Sequence, residues 1–158
     1  MDPMYQILDG RKISAEIKQE IAREVVEMEK KTGRRPHLSA ILVGHDGGSE
    51  AYMASKVKSC EEVGFDSSLI RFDSDVTEER LLQEIDRLNN DAGVDGFIIQ
   101  LPLPKHLDTN RILEKIAPEK DADGLHPTNL GKLVLNVSEP LDSPLPCTPN
   151  GVIELVKR

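Results

Sequence analysis

A chain of 158 residues with 28 acidic against 20 basic side chains has a formal net charge of −8 and a pI near 5.0. That balance excludes the basic stripe of a nucleic-acid binder. No apolar run approaches the roughly 20 residues of a membrane span, and the start, MDPMYQILDG, lacks the apolar centre of a signal peptide, so a cytoplasmic domain is expected.

In chain order, Tyr5–Leu8 reads as a short first strand turned by Asp9-Gly10. From Ser14 to Thr32, Ile17, Ile21, Val25 and Met28 recur at helical spacing, and Gly33 and Pro36 end the helix. His37–Val43 is a buried strand. It is followed by the glycine-rich turn Gly44–Gly48 and a helix to Gly64, with Ser49 at the expected N-cap. Ser67–Phe72 is the next strand. Thr77 then caps a helix with the core face Leu81, Leu82, Ile85 and Leu88. Val94–Gln100 is a strand running into Leu101-Pro102-Leu103-Pro104, and Asp108 caps a short helix. A helical turn is expected near Asn129–Leu133, then a Pro-rich linker, EPLDSPLPC. Thr148-Pro149 has the form of an N-cap with proline at the first helical position, opening a last amphipathic helix.

Alternating strands and helices predict a three-layer α/β/α domain with a mostly parallel sheet of about four strands. Ligands in such sheets sit outside the carboxyl ends of the strands. The turn after Val43 leads to Tyr52 and Lys56, which are four residues apart and so share a helix face. The turn after Gln100 leads to Pro102 and Pro104. Topology alone therefore directs Lys56 and Gln100 to one edge.

Each motif has an ordinary explanation. A Tyr/Lys pair on a helix is commonly solvated, and a short-chain dehydrogenase would need a dinucleotide site upstream for which 51 residues leave no room. The turn Gly44–Gly48 has neither Gly-Lys-Ser/Thr nor Gly-x-Gly-x-x-Gly, so it is not a phosphate cradle. His37, His45, His106 and His126 have no ligand spacing, and no metal site is expected. Cys60 and Cys147 stand apart, and Cys147 lacks a nearby base, so it reads as structural in a reducing compartment. Gln100 closes an apolar strand, where an amide needs partners if buried. Asp121 and Asp123 around Ala122 would by themselves be a turn.

Taken together, four ordered blocks carry a resemblance: Val43-Gly44 with Ser49, Tyr52 and Lys56; GFIIQLPLPKH; PEKDADGLHPTNLGKL; and PCTPNG. The chain resembles the bifunctional methylenetetrahydrofolate dehydrogenase/methenyltetrahydrofolate cyclohydrolase family. The resemblance implies oxidation of 5,10-methylenetetrahydrofolate with NADP or NAD and hydrolysis of the methenyl product to 10-formyltetrahydrofolate, within one-carbon metabolism and purine biosynthesis. By the same resemblance Lys56 is the central catalytic group, Tyr52 stacks on the p-aminobenzoyl ring, Gln100 holds Lys56, and Asp123 bonds the pterin. Backbone at Ile99 and Leu101 helps seat the substrate, with Ser49 and Pro102 in the same blocks. An amine partly desolvated beside a cationic substrate can move a proton near neutrality.

Family members continue into a Rossmann domain, which dimerises them and binds the nicotinamide cofactor. No dinucleotide fingerprint exists in these residues. The expectation is a fragment, with residues 1–147 forming the folate-binding domain and residues 148–158 starting an interdomain helix. The full protein is then expected to be a homodimer. The alternatives are a folate-binding module without turnover and an amino-acid-dehydrogenase-like domain.

Overall fold

The computed structural model describes residues 7–135 and 143–158. Its first helix, α1 (Gly10–Thr32), begins four residues before Ser14, because Asp9 accepts from the backbone N–H groups of Arg11 and Lys12 at 3.0 and 3.1 Å. The residue expected to turn a strand instead caps a helix. Tyr5 and Gln6 lie outside the described residues, and Ile7 and Leu8 belong to no strand.

Then follow β1 (His37–Val43), α2 (Gly47–Val63), β2 (Asp66–Phe72), α3 (Glu78–Asn90) and β3 (Gly96–Ile99). Among the described residues the sheet has three strands rather than about four, all parallel, in the order β2-β1-β3. β1 is central, as its run of buried residues from Ser39 to Val43 requires. Its alternate residues serve two cores. Ile41 and Val43 pack with Leu81, Ile85 and Leu88 of α3 and with Ile112, whereas Ala40 and Leu42 pack with Met53 of α2 and Ile98. α1 packs against α2 on that second side. The three-layer α/β/α expectation holds, and no described helix is long and apolar enough to cross a membrane.

The order β2-β1-β3 means the chain reverses direction across the sheet after β2. The turns leaving β1 and β3 are therefore neighbours at the carboxyl edge, as is usual for ligand sites in such sheets.

The start of α2 differs from expectation. Asp46 is its N-cap, and its carboxylate accepts from the Ser49 N–H at 2.8 Å, so Ser49 is inside the helix and buried. Both residues are good caps. The one three positions earlier wins because its carboxylate reaches forward over the two glycines to the Ser49 N–H. Asp46→Ala is thus expected to lower the urea midpoint, with Ser49→Ala leaving the helix start intact; the opposite order would reinstate Ser49. At its other end α2 stops at Gly64, whose φ of 83° is the left-handed region where a Cβ is penalised.

After β3 come α4 (Thr109–Glu114), capped by Asp108 as expected, a 3-10 turn at Pro118–Lys120, α5 (Pro127–Leu135) and α6 (Cys147–Lys157). Thr148 is not the N-cap of α6. The helix begins two residues earlier than expected, at Cys147, with Pro146 at the cap position and no side-chain capping bond. α6 is tied to α1 by Arg158, which makes two hydrogen bonds to Glu20 at 2.8 and 2.7 Å.

Candidate functional site

The site grows from two segments: the first half of α2 and the turn Lys120–Gly124. On α2, Tyr52 and Lys56 are one turn apart, and the Lys56 ammonium stands over the Tyr52 ring at 5.1 Å from its centroid. The phenol is 59% exposed, leaving a ring face for a flat ligand.

In the second segment every residue has a separate task. Lys120 Nζ donates to Leu88 O and Asp91 O at 2.8 and 2.7 Å, satisfying carbonyls at the end of α3. Asp121 is buried and forms a parallel bridge with Phe97. Its Oδ2 accepts from the His126 N–H at 2.8 Å and the Asn129 amide at 3.0 Å. The Ala122 N–H donates to Phe97 O, so the turn is laid alongside β3. That leaves Asp123 projecting towards α2, with Oδ1 at 3.9 Å from Lys56 Nζ. The gap is too long for a hydrogen bond and short enough for charge attraction.

Gly124 completes the turn. It has φ of 68°, and a Cβ there would lie 2.3 Å from the carbonyl carbon of Leu145. Only glycine permits the Leu145–Cys147 segment to lie this close. The Cys147 N–H then donates to Asp123 O at 3.3 Å, and its thiol to Ala122 O at 3.4 Å.

These segments border a cavity of about 800 Å³ that runs along the seam of α1, α2 and α6. Tyr52, Lys56, Asp123 and Cys147 line its polar part, and its other walls are largely apolar, including Ile17 and Leu155. Burial raises the proton affinity of the Asp123 carboxyl above the usual carboxylate range. Lys56 opposes that rise and Asp121 adds to it. Burial first, and then Asp123, push the Cys147 thiol up, so it rests as a thiol rather than a nucleophilic thiolate.

A carboxylate that takes up its proton more readily when folded makes the fold less stable as pH rises from its unfolded value through its folded one. Asp123→Asn has no such loss. Its stability relative to the parent is expected to grow across that window and to equal or exceed it at neutrality, while ligand binding falls. Thermal melts from pH 3 to 8 check this; a variant less stable at pH 7 would contradict it.

The remaining expected residues are placed less simply. Gln100 donates from Nε2 to Leu101 O at 2.7 Å, and its Oε1 is buried without a partner. Among the described residues it makes no hydrogen bond to Lys56, and it does not line the cavity. An orphaned buried amide oxygen requires a donor. The Ile99 side chain is in the core cluster, which leaves only its backbone for a ligand. Pro102 is exposed, and Ser49 is buried away from the cavity. Among the described residues no group of three His, Cys, Asp or Glu side chains is placed to hold a metal ion. The turn into α2 fails as a dinucleotide cradle, since pyrophosphate wants free N–H groups at a helix start. Here Asp46 occupies the Ser49 N–H and presents its own charge.

A parallel α/β domain with an amine, a carboxylate and a phenol around one cleft has the make-up of an enzyme's substrate-binding domain. Residues 8–123 match the family model described as tetrahydrofolate dehydrogenase/cyclohydrolase, catalytic domain, and the chain belongs to that family. It is 60% identical over 158 residues to the bifunctional protein FolD of Porphyromonas gingivalis, covering 100% of this chain and 52% of the relative. The FolD of Bacteroides thetaiotaomicron is 56% identical over 156 residues, covering 96% and 50%. Among solved structures, a 5,10-methylenetetrahydrofolate dehydrogenase from the silkworm Bombyx mori superposes with TM-score 0.93 at 41% identity, over 98% of this chain and 52% of that one. The Trypanosoma brucei methylenetetrahydrofolate dehydrogenase-cyclohydrolase, complexed with NADP and an inhibitor, gives 0.91 at 38% identity, with the same coverage. The chain spans about half the length of the curated relatives it matches. None of these relatives is an amino-acid dehydrogenase.

Proposed function

We propose that this chain is the folate-binding catalytic portion of a methylenetetrahydrofolate dehydrogenase/methenyltetrahydrofolate cyclohydrolase, and that Lys56 moves the proton when the methenyl bridge opens. The observation that carries this is the convergence of Lys56, Tyr52 and Asp123 at one cavity.

In hydrolysis, water adds to the amidinium carbon of the bridge. A carbon–oxygen bond forms, the carbon–N5 bond breaks, and the proton released passes to an amine or to solvent. Lys56 is that amine in this reading, and its 3.9 Å distance from Asp123 leaves it free to turn towards a ligand. The Tyr52 ring stacks on the p-aminobenzoyl group. Asp123 accepts from pterin N–H donors, a charged pairing worth roughly 1.5–3 kcal/mol. The orphaned Gln100 Oε1 takes a donor from the Lys56 ammonium or from the ligand, and backbone at Ile99 and Leu101 lines the seat beside Pro102.

In the oxidation a nicotinamide cofactor, NADP or NAD, supplies the hydride acceptor. No cradle for it is seen among the described residues, and in this reading the cofactor is held by a domain outside residues 1–158, reached through α6. That domain also makes the homodimer. The whole protein works in the cytoplasm, supplying one-carbon units.

The test is the absorbance decay of methenyltetrahydrofolate with this chain, corrected for uncatalysed hydrolysis. Saturable decay supports the proposal. Binding of a folate without decay reduces the chain to a binding module, and the absence of both sinks the reading.

A further inference from the structure

We propose that Asn129, acting through Asp121, is a positioning residue that fixes the Asp123 carboxylate in the cleft opposite Lys56. The inference deepens the folate reading and rests on it for the identity of the ligand.

Asn129 is 2% exposed although it sits on α5, an element that contributes nothing else to the buried core. An amide buried so deeply is costly unless its hydrogen bonds are made. Its Nδ2 makes two, to Pro118 O at 2.8 Å and to Asp121 Oδ2 at 3.0 Å. Those acceptors bracket the 3-10 turn Pro118–Lys120, so one side chain straps both ends of the segment that delivers Asp123. The second donor to Asp121, the His126 N–H at 2.8 Å, comes from the residue just before α5. The Asp121 carboxylate therefore meets the positive end of that helix as well as the Asn129 amide.

Asp123 is two residues further on and has no hydrogen-bond donor of its own within the turn. Its orientation follows from the backbone that Asp121 and Ala122 pin to β3. The charged and titratable groups facing it are Lys56 from α2, Asp121 from its own turn and Cys147 at the start of α6. Of these, Asp121 is the one whose place Asn129 sets. If Asn129 lets go, the Asp121 charge moves relative to Asp123, and so does the carboxylate that meets the ligand.

The experiment follows the Asp123 carboxyl carbon by NMR as a function of pH, without ligand, in the parent chain, Asn129→Leu and Asp121→Asn. Asp121→Asn keeps one oxygen that can accept from both donors while it removes the charge and turns the other oxygen into an NH2 group, so it guards against a variant that fails to fold. The Asp123 midpoint is expected to shift to lower pH in Asp121→Asn and to move in Asn129→Leu. Affinity for 5-formyltetrahydrofolate, measured by calorimetry, should fall roughly ten- to a hundredfold in Asn129→Leu, by analogy with the loss on removing a residue that orients a metal ligand. A lowered melting temperature with the Asp123 midpoint and affinity unmoved would make Asn129 a purely structural residue and overturn the proposal. Because the titration uses no ligand, its result does not depend on the folate reading, which fails separately if the parent chain leaves the folate unbound.

Discussion

Lys56→Met is expected to lower methenyltetrahydrofolate hydrolysis at least a hundredfold, a loss of roughly 2.7 kcal/mol of transition-state stabilisation and the lower end for removing a positioned acid–base group. Methionine keeps the length and the apolar stem that runs beside Tyr52, so packing on α2 is preserved. What is lost is the ammonium at 3.9 Å from Asp123 and 5.1 Å above the phenol ring. At that separation the ion pair contributes little to folding, and the melting temperature should barely change. Lys56→Arg separates the two parts the amine could play. A guanidinium retains the charge but does not give up its proton. If Lys56 acts by proton transfer, the Arg variant is as slow as the Met variant; if it acts only as a charge, Arg restores much of the rate. A Met variant within a few-fold of the parent would remove Lys56 from the chemistry altogether.

Gly124→Ala should be the most damaging of the glycine-to-alanine changes. A left-handed backbone costs a non-glycine residue about 1–2 kcal/mol, and here the added carbon would fall 2.3 Å from Leu145 C and 2.5 Å from Leu145 O. The neighbouring atoms are backbone, with no flexible end to swing away. The Leu145–Cys147 segment must move, taking with it the bonds from Cys147 to Ala122 and Asp123 and the start of α6. We expect a loss of several degrees in melting temperature together with loss of folate binding, since the displaced segment borders the cavity. The control is Gly131→Ala in α5, where nothing lies within 4 Å of the added carbon. Within a helix that change should stabilise by up to about 1 kcal/mol. Equal behaviour of the two variants would mean that the contact at Gly124 does not govern the cleft.

These cases show what the sequence could and could not reveal. β1, β2, α3 and the Gly64 stop follow from apolar periodicity and local turn chemistry, and all were legible to within a residue or two. Tyr52 and Lys56 could be placed on one face because helical geometry is local. The Asp46 cap was missed because two suitable caps stand three residues apart and only the folded turn chooses between them. The strand expected at Tyr5–Leu8 gave way, at Ile7 and Leu8, to a helix start set by Asp9. The pairing of Lys56 with Asp123 was not visible, because the residues are far apart in the chain and the turn that carries Asp123 is laid against β3 by backbone bonds. Gly124 and Asn129 were silent for the same reason. Their partners, Leu145 and the pair Pro118 and Asp121, are met only in three dimensions. Gln100 was legible as an amide in need of a partner, but not as one that spends its donor on Leu101 O and leaves Oε1 unpartnered.

The Lys120 ammonium gives the cleft a mechanical character. By holding Leu88 O and Asp91 O it hangs the Asp121–Asp123 turn from the last turn of α3, whose other face is the centre of the core. Lys120 thus ties the turn to the helix end, in addition to the bonds that Asn129 and the His126 N–H make on its other residues. The Ala122 amide should accordingly exchange its hydrogen only when the whole domain opens. An incoming ligand then meets a carboxylate whose ordering cost was met at folding, and the association step needs no rearrangement of this wall.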